Sequence, residues 1–421
     1  MKTKTLERLA LKLEPWVVGG MVMYFLGVNT LPLVNTAMKA GSYGILALLI
    51  SWRWKRFAYM ATRDISLLLL IAMAPLSLFW SASPEFTSIE YKAVIRGSLF
   101  GIFLATRYSM KEQMQLFTWV LAIGAVLSLV FSIGLPSYAV QGSIWVGIYI
   151  YKNQAACVQT LTALLFLLTA LNRRKHRWIA WTVFSIAVVL LGLAESKTAY
   201  SIFVISLGLL PITTVAKQKY KLQVVLFLIL LVVGGSTIVL VLSNLEFIVV
   251  DTLGKNMEFN GRVPIWTLIL DKVYERPWLG YGTAGFWTSE HALYVINNSW
   301  ASTTGEDVGI GAGKVRFNSH NGYIDLLLQY GFVGVSLLLF NWLTVLFRLV
   351  ALLNSKEGLE AFWMLQYIIV LFLFNLSENI GLLGLSSMWS LYVSIALSTA
   401  LQQERVRKKR YILSETTEQS L

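Results

Sequence analysis

The chain has 421 residues, 56% of them hydrophobic and only 14% charged, with a mean hydropathy of +0.64. Soluble domains are near half apolar and a quarter charged, so this composition excludes an ordinary soluble protein and points to a polytopic membrane protein whose length is used on spans. The net charge of +13 does not imply nucleic acid, because the basic residues cluster in short segments between apolar runs.

Twelve apolar runs are predicted to cross a bilayer: 16–35, 41–52, 65–80, 95–106, 115–134, 155–171, 178–194, 199–215, 222–243, 322–347, 362–376 and 382–400. No A-x-A cleavage site closes the first run, which is read as a span rather than a removed leader. The runs at 41–52 and 95–106 are short for a hydrocarbon core of ~30 Å and are expected to extend into their flanks or to tilt. Strict alternation then puts 24 of the 35 Lys and Arg on one side, in segments such as Arg53 to Arg63, Arg173 to Arg177 and Arg405 to Arg410. That asymmetry is the positive-inside pattern and predicts both termini in the cytoplasm. Residues 1–421 read as one all-α integral membrane domain, and the tail 401–421 is expected to fray in the cytoplasm.

The loops on the opposite, trans side are short except for residues 244–319. Within that loop Trp266, Ile269, Leu270 and Val273 have helical spacing and predict an amphipathic helix lying near the interface. Arg276-Pro277-Trp278-Leu279-Gly280-Tyr281-Gly282 follows, where Pro277 and the two glycines force a turn and Trp278 and Tyr281 suit the headgroup zone. Asn297 to Lys314 is rich in Gly, Ser, Thr and Asn and is expected to be mobile. No fixed-period repeat is present.

The single cysteine, Cys157, lies in an apolar run and reads as a packing residue. Neither metal-ligand spacing nor a phosphate-binding Gly-rich loop occurs, so no metal or cofactor is implied. The chemistry collects on the trans side instead. Lys92 and Arg96 are read as ending the loop after the third span. Lys152, next to Asn153, precedes the sixth span; Lys197 sits in a tight turn; Arg262 opens the amphipathic helix; Glu378 lies between the last two spans. Cations from several spans around one cleft can bind a diphosphate, Arg262 through its planar fork and Lys197 as a compact charge. They can also neutralise charge on a diphosphate leaving group. His320, in Phe317-Asn-Ser-His-Asn-Gly-Tyr-Ile-Asp325, stands where the long loop meets the next span, and an imidazole there can accept a proton from an acceptor hydroxyl. Asn321 and Gly322 are helix-start residues, Asp325 falls one turn on, and Glu378 can orient His320 or a cation. The plain alternative for each is an interfacial or solvated charge, and for His320 a helix anchor.

Taken together, Lys152-Asn153, Ser196-Lys197-Thr198, Gly261-Arg262 with Trp266, Arg276-Pro277 through Gly282, His320-Asn321-Gly322-Tyr323 with Asp325 and Gly331, and Glu378 resemble the motifs of the O-antigen ligase and polysaccharide polymerase superfamily, especially exopolysaccharide polymerases of the succinoglycan type. The resemblance covers about residues 65 to 400. It implies a multi-spanning, metal-independent, inverting glycosyltransferase of the bacterial inner membrane. Its donor would be an undecaprenyl-diphosphate-linked oligosaccharide, used on the periplasmic face, and its acceptor a second glycan or lipid A-core. Flippase and chain-length regulator proteins are candidate partners. On that pattern His320 matches the base and Arg262 a diphosphate-binding arginine, with Glu378 completing the catalytic set. Lys197, Lys152, Asn153, Arg96, Asn321 and Arg276 form the substrate-binding set. Lys197 departs from the Arg of many ligases, which keeps the charge but loses the fork and leans the reading towards a polymerase. A twelve-span secondary transporter is the alternative from another class. It would place its polar residues near the bilayer midplane and repeat its halves, whereas these charges gather at one face.

Overall fold

The computed structural model describes residues 2–29, 32–172, 175–210, 262–299, 317–384 and 386–418. Its helices run α1 Lys2–Phe25, α2 Pro32–Ser51, α3 Trp54–Ala61, α4 Ile65–Leu76, α5 Pro84–Arg107, α6 Met110–Gly134, α7 Pro136–Ala139, α8 Lys152–Asn172, α9 Arg177–Leu193, α10 Lys197–Gly208, α11 Arg262–Glu275, α12 His291–Asn297, α13 Gly322–Leu352, α14 Gly358–Asn375 and α15 Ser387–Glu418. Among the described residues the only sheet is a two-stranded antiparallel hairpin, β1 Val140–Gln141 with β2 Ile144–Trp145, in which Val140 faces Trp145. The chain is an all-α, multi-pass membrane protein.

Four described helices, α6, α8, α13 and α14, are long and apolar enough to cross a membrane by themselves. The pair Trp54–Ala61 and Ile65–Phe79, bent by 98°, makes a fifth if counted as one span. The long helices α5 and α15 carry polar residues that face other helices. The α5–α15 contact shows why such sequences can still be packed. A Cβ on Gly101 of α5 would lie 2.4 Å from the Ser390 carbonyl oxygen of α15. The Ser390 hydroxyl donates to the Gly97 carbonyl at 2.9 Å, and the Trp389 indole to Ser98 at 2.8 Å. Gln113 of α6 reaches both Ser394 and Ser398, each at 2.9 Å. Lipid gives helices no hydrophobic reason to associate, so close approach through small residues and interhelical hydrogen bonds, each worth about 0.6 kcal/mol on average, hold the contact.

Several expected boundaries move. The run 16–35 is interrupted by a turn at Leu26–Gly27, where Gly27 has φ +74°, so α1 ends at Phe25 and α2 starts afresh at Pro32. The two short runs extend into their flanks, to Pro32–Ser51 and Pro84–Arg107. Lys92 and Arg96 therefore lie inside α5 and do not end a loop. The run 222–243 and the end of 199–215 lie outside the described residues, as does most of the segment 297–314. The tail expected to fray is helical to Glu418.

Four of the arginines assigned to one side, Arg53, Arg63, Arg107 and Arg348, are held by carboxylates. Glu14 of α1 takes Arg107 at 2.5 Å and Arg53 at 3.4 Å. Arg63 pairs with Glu404 at 3.1 Å, and Arg348 with the buried Asp64. Asp64 also caps α4, accepting from Leu67 N–H at 3.0 Å, and binds Asn341 at 3.0 Å. A carboxylate buried this deeply requires such partners.

The loop after α11 is built into α13. Gly331 breaks α13 with φ +60° and ψ −163°. The freed carbonyls of Leu328 and Gln329 accept the N–H groups of Tyr281 at 2.7 Å and Gly282 at 2.9 Å. The freed N–H groups of Phe332 and Val333 donate to the carbonyls of Pro277 at 2.8 Å and Trp278 at 3.2 Å. A satellite core lies over this exchange, made by Ile265, Ile269 and Val273 of α11 with Tyr281, Phe286, Trp287, Val295 and Phe317. The α11 stripe is thus 265, 269 and 273, and Leu270 is exposed. Tyr281 is fully buried rather than at the surface, whereas Trp278 points outward.

The Gly331 break has a direct test. A Cβ at 331 would sit 2.3 Å from the Trp278 backbone in a left-handed conformation, whereas nothing lies within 4 Å of one at Gly192. Gly331→Ala is expected to lower the thermal unfolding midpoint of the purified protein, reflecting at least ~1–3 kcal/mol of strain. Gly192→Ala should leave it unchanged or raised. Equal midpoints for the two variants would show that the loop does not lock the break.

Candidate active site

The site grows from the start of α13. Asn321 is the N-cap: its side-chain oxygen accepts from Tyr323 N–H at 3.0 Å and Ile324 N–H at 3.1 Å. Its amide nitrogen donates to the Leu376 carbonyl at 2.9 Å. Both ends of the side chain are thus committed to positioning the helix, as the capping preference of Asn leads one to expect. Gly322 N–H donates to the Glu378 carbonyl at 3.1 Å, and a Cβ there would lie 2.2 Å from Asn375 Oδ1. Only glycine lets α13 begin this close to the end of α14.

His320 stands just before the cap with φ +51°, a left-handed backbone unusual for a residue with a side chain. Its neighbours hold it there. His320 N–H donates to Asn318 Oδ1 at 2.8 Å. Ser319 is buried, donates its hydroxyl to the Asn321 carbonyl at 2.7 Å, and accepts the Trp266 indole on its own carbonyl at 2.8 Å. The imidazole is left 35% exposed, with Nδ1 4.0 Å from Oε2 of Glu378, itself only 13% exposed. That is ion-pair range rather than a hydrogen bond, so a protonated His320 has its counter-ion in place.

Asp325 is the hub beneath. It is 1% exposed and accepts from the Trp287 indole at 2.8 Å, the Asn379 amide at 2.6 Å and Ser319 N–H at 3.3 Å. It ties the satellite core, the His320 stretch and the 377–386 connection to one carboxylate. The sequence marks Asp325 one turn into the helix, but nothing in a linear chain shows that Trp287 and Asn379 converge on it.

The connection reaches further. Ser377 donates to Thr198 at 3.4 Å, and Ser196 to Asn153 at 3.4 Å. These contacts bring the beginnings of α8 and α10 beside Glu378. Lys152 and Lys197 are the first residues of those helices and both are exposed. Helix starts present unpaired N–H groups and the positive end of the helix dipole, so cationic side chains there reinforce an anion-attracting surface. Thr198, Ser319 and Asn379 are neighbours of the site to which sequence reasoning gave no role. Their small polar side chains lie inside or beside the quoted motifs.

Other expected members stand apart. Arg96 is 2% exposed and donates to the Lys39 carbonyl at 3.0 Å and Ser42 Oγ at 3.1 Å, both on α2, so its guanidinium joins α2 to α5 instead of lining this patch. Arg276 donates to the Trp80 carbonyl at 3.4 Å and lies 4.9 Å over the Tyr281 ring. There it belongs to a second cluster with Lys272, Glu275 and His291. Burial, with Arg276 nearby, holds the His291 imidazole below its ordinary range, and the bond from Lys272 holds the Glu275 carboxyl down. Arg262 opens α11, one turn before Trp266, and its side chain lies outside the described residues.

Comparison with known proteins finds two likenesses. A family model described as O-antigen ligase matches residues 183–339, a stretch that holds Lys197, Arg262, Arg276 and His320 and stops short of Glu378. The exopolysaccharide production protein ExoQ of Rhizobium meliloti (strain 1021) is 23% identical over 299 residues. The match covers 68% of this chain and 65% of that relative, so the chain spans just under two thirds of its length. On a multi-pass helical frame, residues 183–339 thus resemble the O-antigen ligase family, and the chain is similar to an exopolysaccharide production protein.

Proposed function

We propose that the protein is a membrane glycosyltransferase that moves a polyprenyl-diphosphate-linked glycan onto a sugar hydroxyl, polymerising exopolysaccharide or O-antigen repeat units. The observation that carries the reading is the half-exposed His320, held in a left-handed backbone with the Glu378 carboxylate 4.0 Å from Nδ1. Lys152 and Lys197 open the two helices bonded to the same network. In this reading His320 takes the proton of the acceptor hydroxyl as its oxygen attacks the anomeric carbon of the donor sugar. The new glycosidic bond forms on the face opposite the diphosphate, so the configuration inverts. The bond from the anomeric carbon to the diphosphate oxygen breaks, and its electron pair leaves with the polyprenyl diphosphate. Glu378 balances the imidazolium, which then loses its proton to water. Lys152, Lys197 and Arg262, with the helix starts behind them, neutralise charge on the departing diphosphate without a metal ion. Asn153 and Asn321 hold this frame in position, with Arg276 further out.

The setting that fits is the bacterial cytoplasmic membrane, with twelve spans, both termini cytoplasmic and the 244–319 loop on the periplasmic side. Undecaprenyl diphosphate is the carrier expected there. The family model's description favours a second reading, a ligase whose acceptor is lipid A-core. The relative's printed role in exopolysaccharide production favours the polymerase. Reconstituted protein given only lipid-linked repeat units separates them: longer chains indicate a polymerase, and product that appears only with lipid A-core indicates a ligase. A transporter gains no support from the break at Gly331, because protein backbone fills it.

Three results are expected with reconstituted protein and a polyprenyl-diphosphate-linked oligosaccharide. His320→Ala binds donor but transfers at least ~100-fold more slowly, the usual scale for a lost general base. Equal transfer by wild type and variant would move the chemistry to Lys152, Lys197 and Arg262. Arg262→Lys lowers turnover at least about tenfold, since the charge stays and the two-pronged contact goes. Near-normal turnover would remove Arg262 from the diphosphate site. Chelators leave the rate unchanged, and loss of activity restored by a divalent cation would overturn the metal-free mechanism.

A further inference from the structure

A pocket of about 240 Å³ opens beside the candidate active site, lined by Tyr24, Phe25, Asn29, Asn35, Gln154 and Ser386 among others. No charged side chain is among its described lining residues. Its walls are fixed. Gln154 donates to the Leu26 carbonyl at 2.7 Å, and Asn29 N–H to the Ile148 carbonyl at 2.7 Å. The Tyr138 hydroxyl donates to the Asn29 carbonyl. Gly27, at φ +74°, lies so close beneath Gln154 that a Cβ would fall 2.0 Å from its amide nitrogen. Arg96 binds α2, which carries Asn35, and its guanidinium sits 6.0 Å over the Phe25 ring and 4.5 Å over Tyr43. The buried arginine that the sequence placed in the substrate set thus braces the back of this pocket.

The chemistry of the lining differs from that of the neighbouring patch. Three side-chain amides and the hydroxyls of Tyr24 and Ser386 supply both donors and acceptors, and the rings of Tyr24 and Phe25 supply an apolar face. The side chains of Asn29 and Asn35 make no hydrogen bond to a described residue, so their amides are available. Such a neutral, two-faced surface does not attract a diphosphate but matches a pyranose ring, which has hydroxyls at its edge and C–H groups on its faces. The volume falls below the ~300 Å³ lower end of drug-sized pockets, which suits one sugar unit. Position adds to this. Gln154 adjoins Asn153, and Ser386 ends the connection that carries Glu378. The pocket is therefore bordered by two segments that also build the His320 site.

We propose that this pocket is a sugar subsite holding one neutral pyranose unit of the acceptor glycan, remote from the hydroxyl that reacts. The inference rests on the glycan-transfer reading for the name acceptor, while binding of a neutral sugar can be measured without transfer. The test uses the full chain in lipid nanodiscs and saturation-transfer NMR with methyl glycosides of glucose, galactose, rhamnose and N-acetylglucosamine. At least one probe is expected to give a signal that is equal in wild type and His320→Ala. Asn35→Ala, at an exposed position where folding is not at stake, should weaken it about fivefold, the scale of one lost hydrogen bond. Asn35→Trp, which fills the space, should abolish it. In the transfer assay both variants should raise KM for acceptor and leave KM for donor unchanged. Silence from every probe, a signal untouched by both substitutions, or donor KM rising in step with acceptor KM would overturn the subsite. Sugar binding that depends on Asn35 in a protein unable to transfer glycan would defeat the transferase reading and leave the pocket standing.

Discussion

The rest of the structure depends on a backbone exchange between residues 277–282 and the break in α13 at Gly331. In a bilayer a helix cannot be opened without providing for its N–H and C=O groups, because no water is at hand to receive them. Here two carbonyls and two N–H groups released at the break are each met by a group from the loop. Thr283 extends the seal, lying 2.8 Å from the Tyr330 hydroxyl and 2.9 Å from Ser77. Gly280 and Gly331 let the two backbones approach, since a Cβ on either would collide with the other chain segment.

That exchange fixes more than a kink. It anchors the loop whose aromatic residues build the satellite core, and α11 lies on that core. From α11 the Trp266 indole reaches the Ser319 carbonyl, and from the core the Trp287 indole reaches Asp325. His320 is pinned between these two bonds in a conformation it would not choose alone. A strained residue persists only where its surroundings over-determine it, and such positions concentrate at functional sites. The first 10 residues of α13 thus act as a preorganised platform, held on one side by the loop and on the other by the 377–386 connection.

Charge is used in two ways. Four arginines find carboxylates: Arg53 and Arg107 with Glu14, Arg63 with Glu404, Arg348 with Asp64. Lys152 and Lys197 instead are exposed at helix starts, where they reinforce rather than cancel the helix dipoles. Under the proposed reading, these two lysines beside the histidine–carboxylate pair face the diphosphate as it arrives and departs. The neutral pocket next to it offers the complementary surface for the part of the substrate that carries no charge.

The sequence by itself determined the class of the protein, most of its helices and the polar positions worth watching. Apolar runs are read directly by the bilayer, and Lys, Arg and His at the ends of such runs are costly enough to stand out. It even marked both partners of the backbone exchange, through Gly280, Gly282 and Gly331. Only the tertiary structure decided which of these positions meet. Arg96, a cation on an apolar helix, reads in sequence like a ligand-binding residue, yet it is used between α2 and α5. Tyr281 reads as a headgroup anchor and is buried. Asp325 gains its importance from Trp287 and Asn379, which lie 38 and 54 residues away in the chain. Periodicity and composition report what each segment needs from its surroundings. Which distant segment meets that need is settled by packing, and packing alone brings Lys152, Lys197, His320 and Glu378 to one end of the bundle.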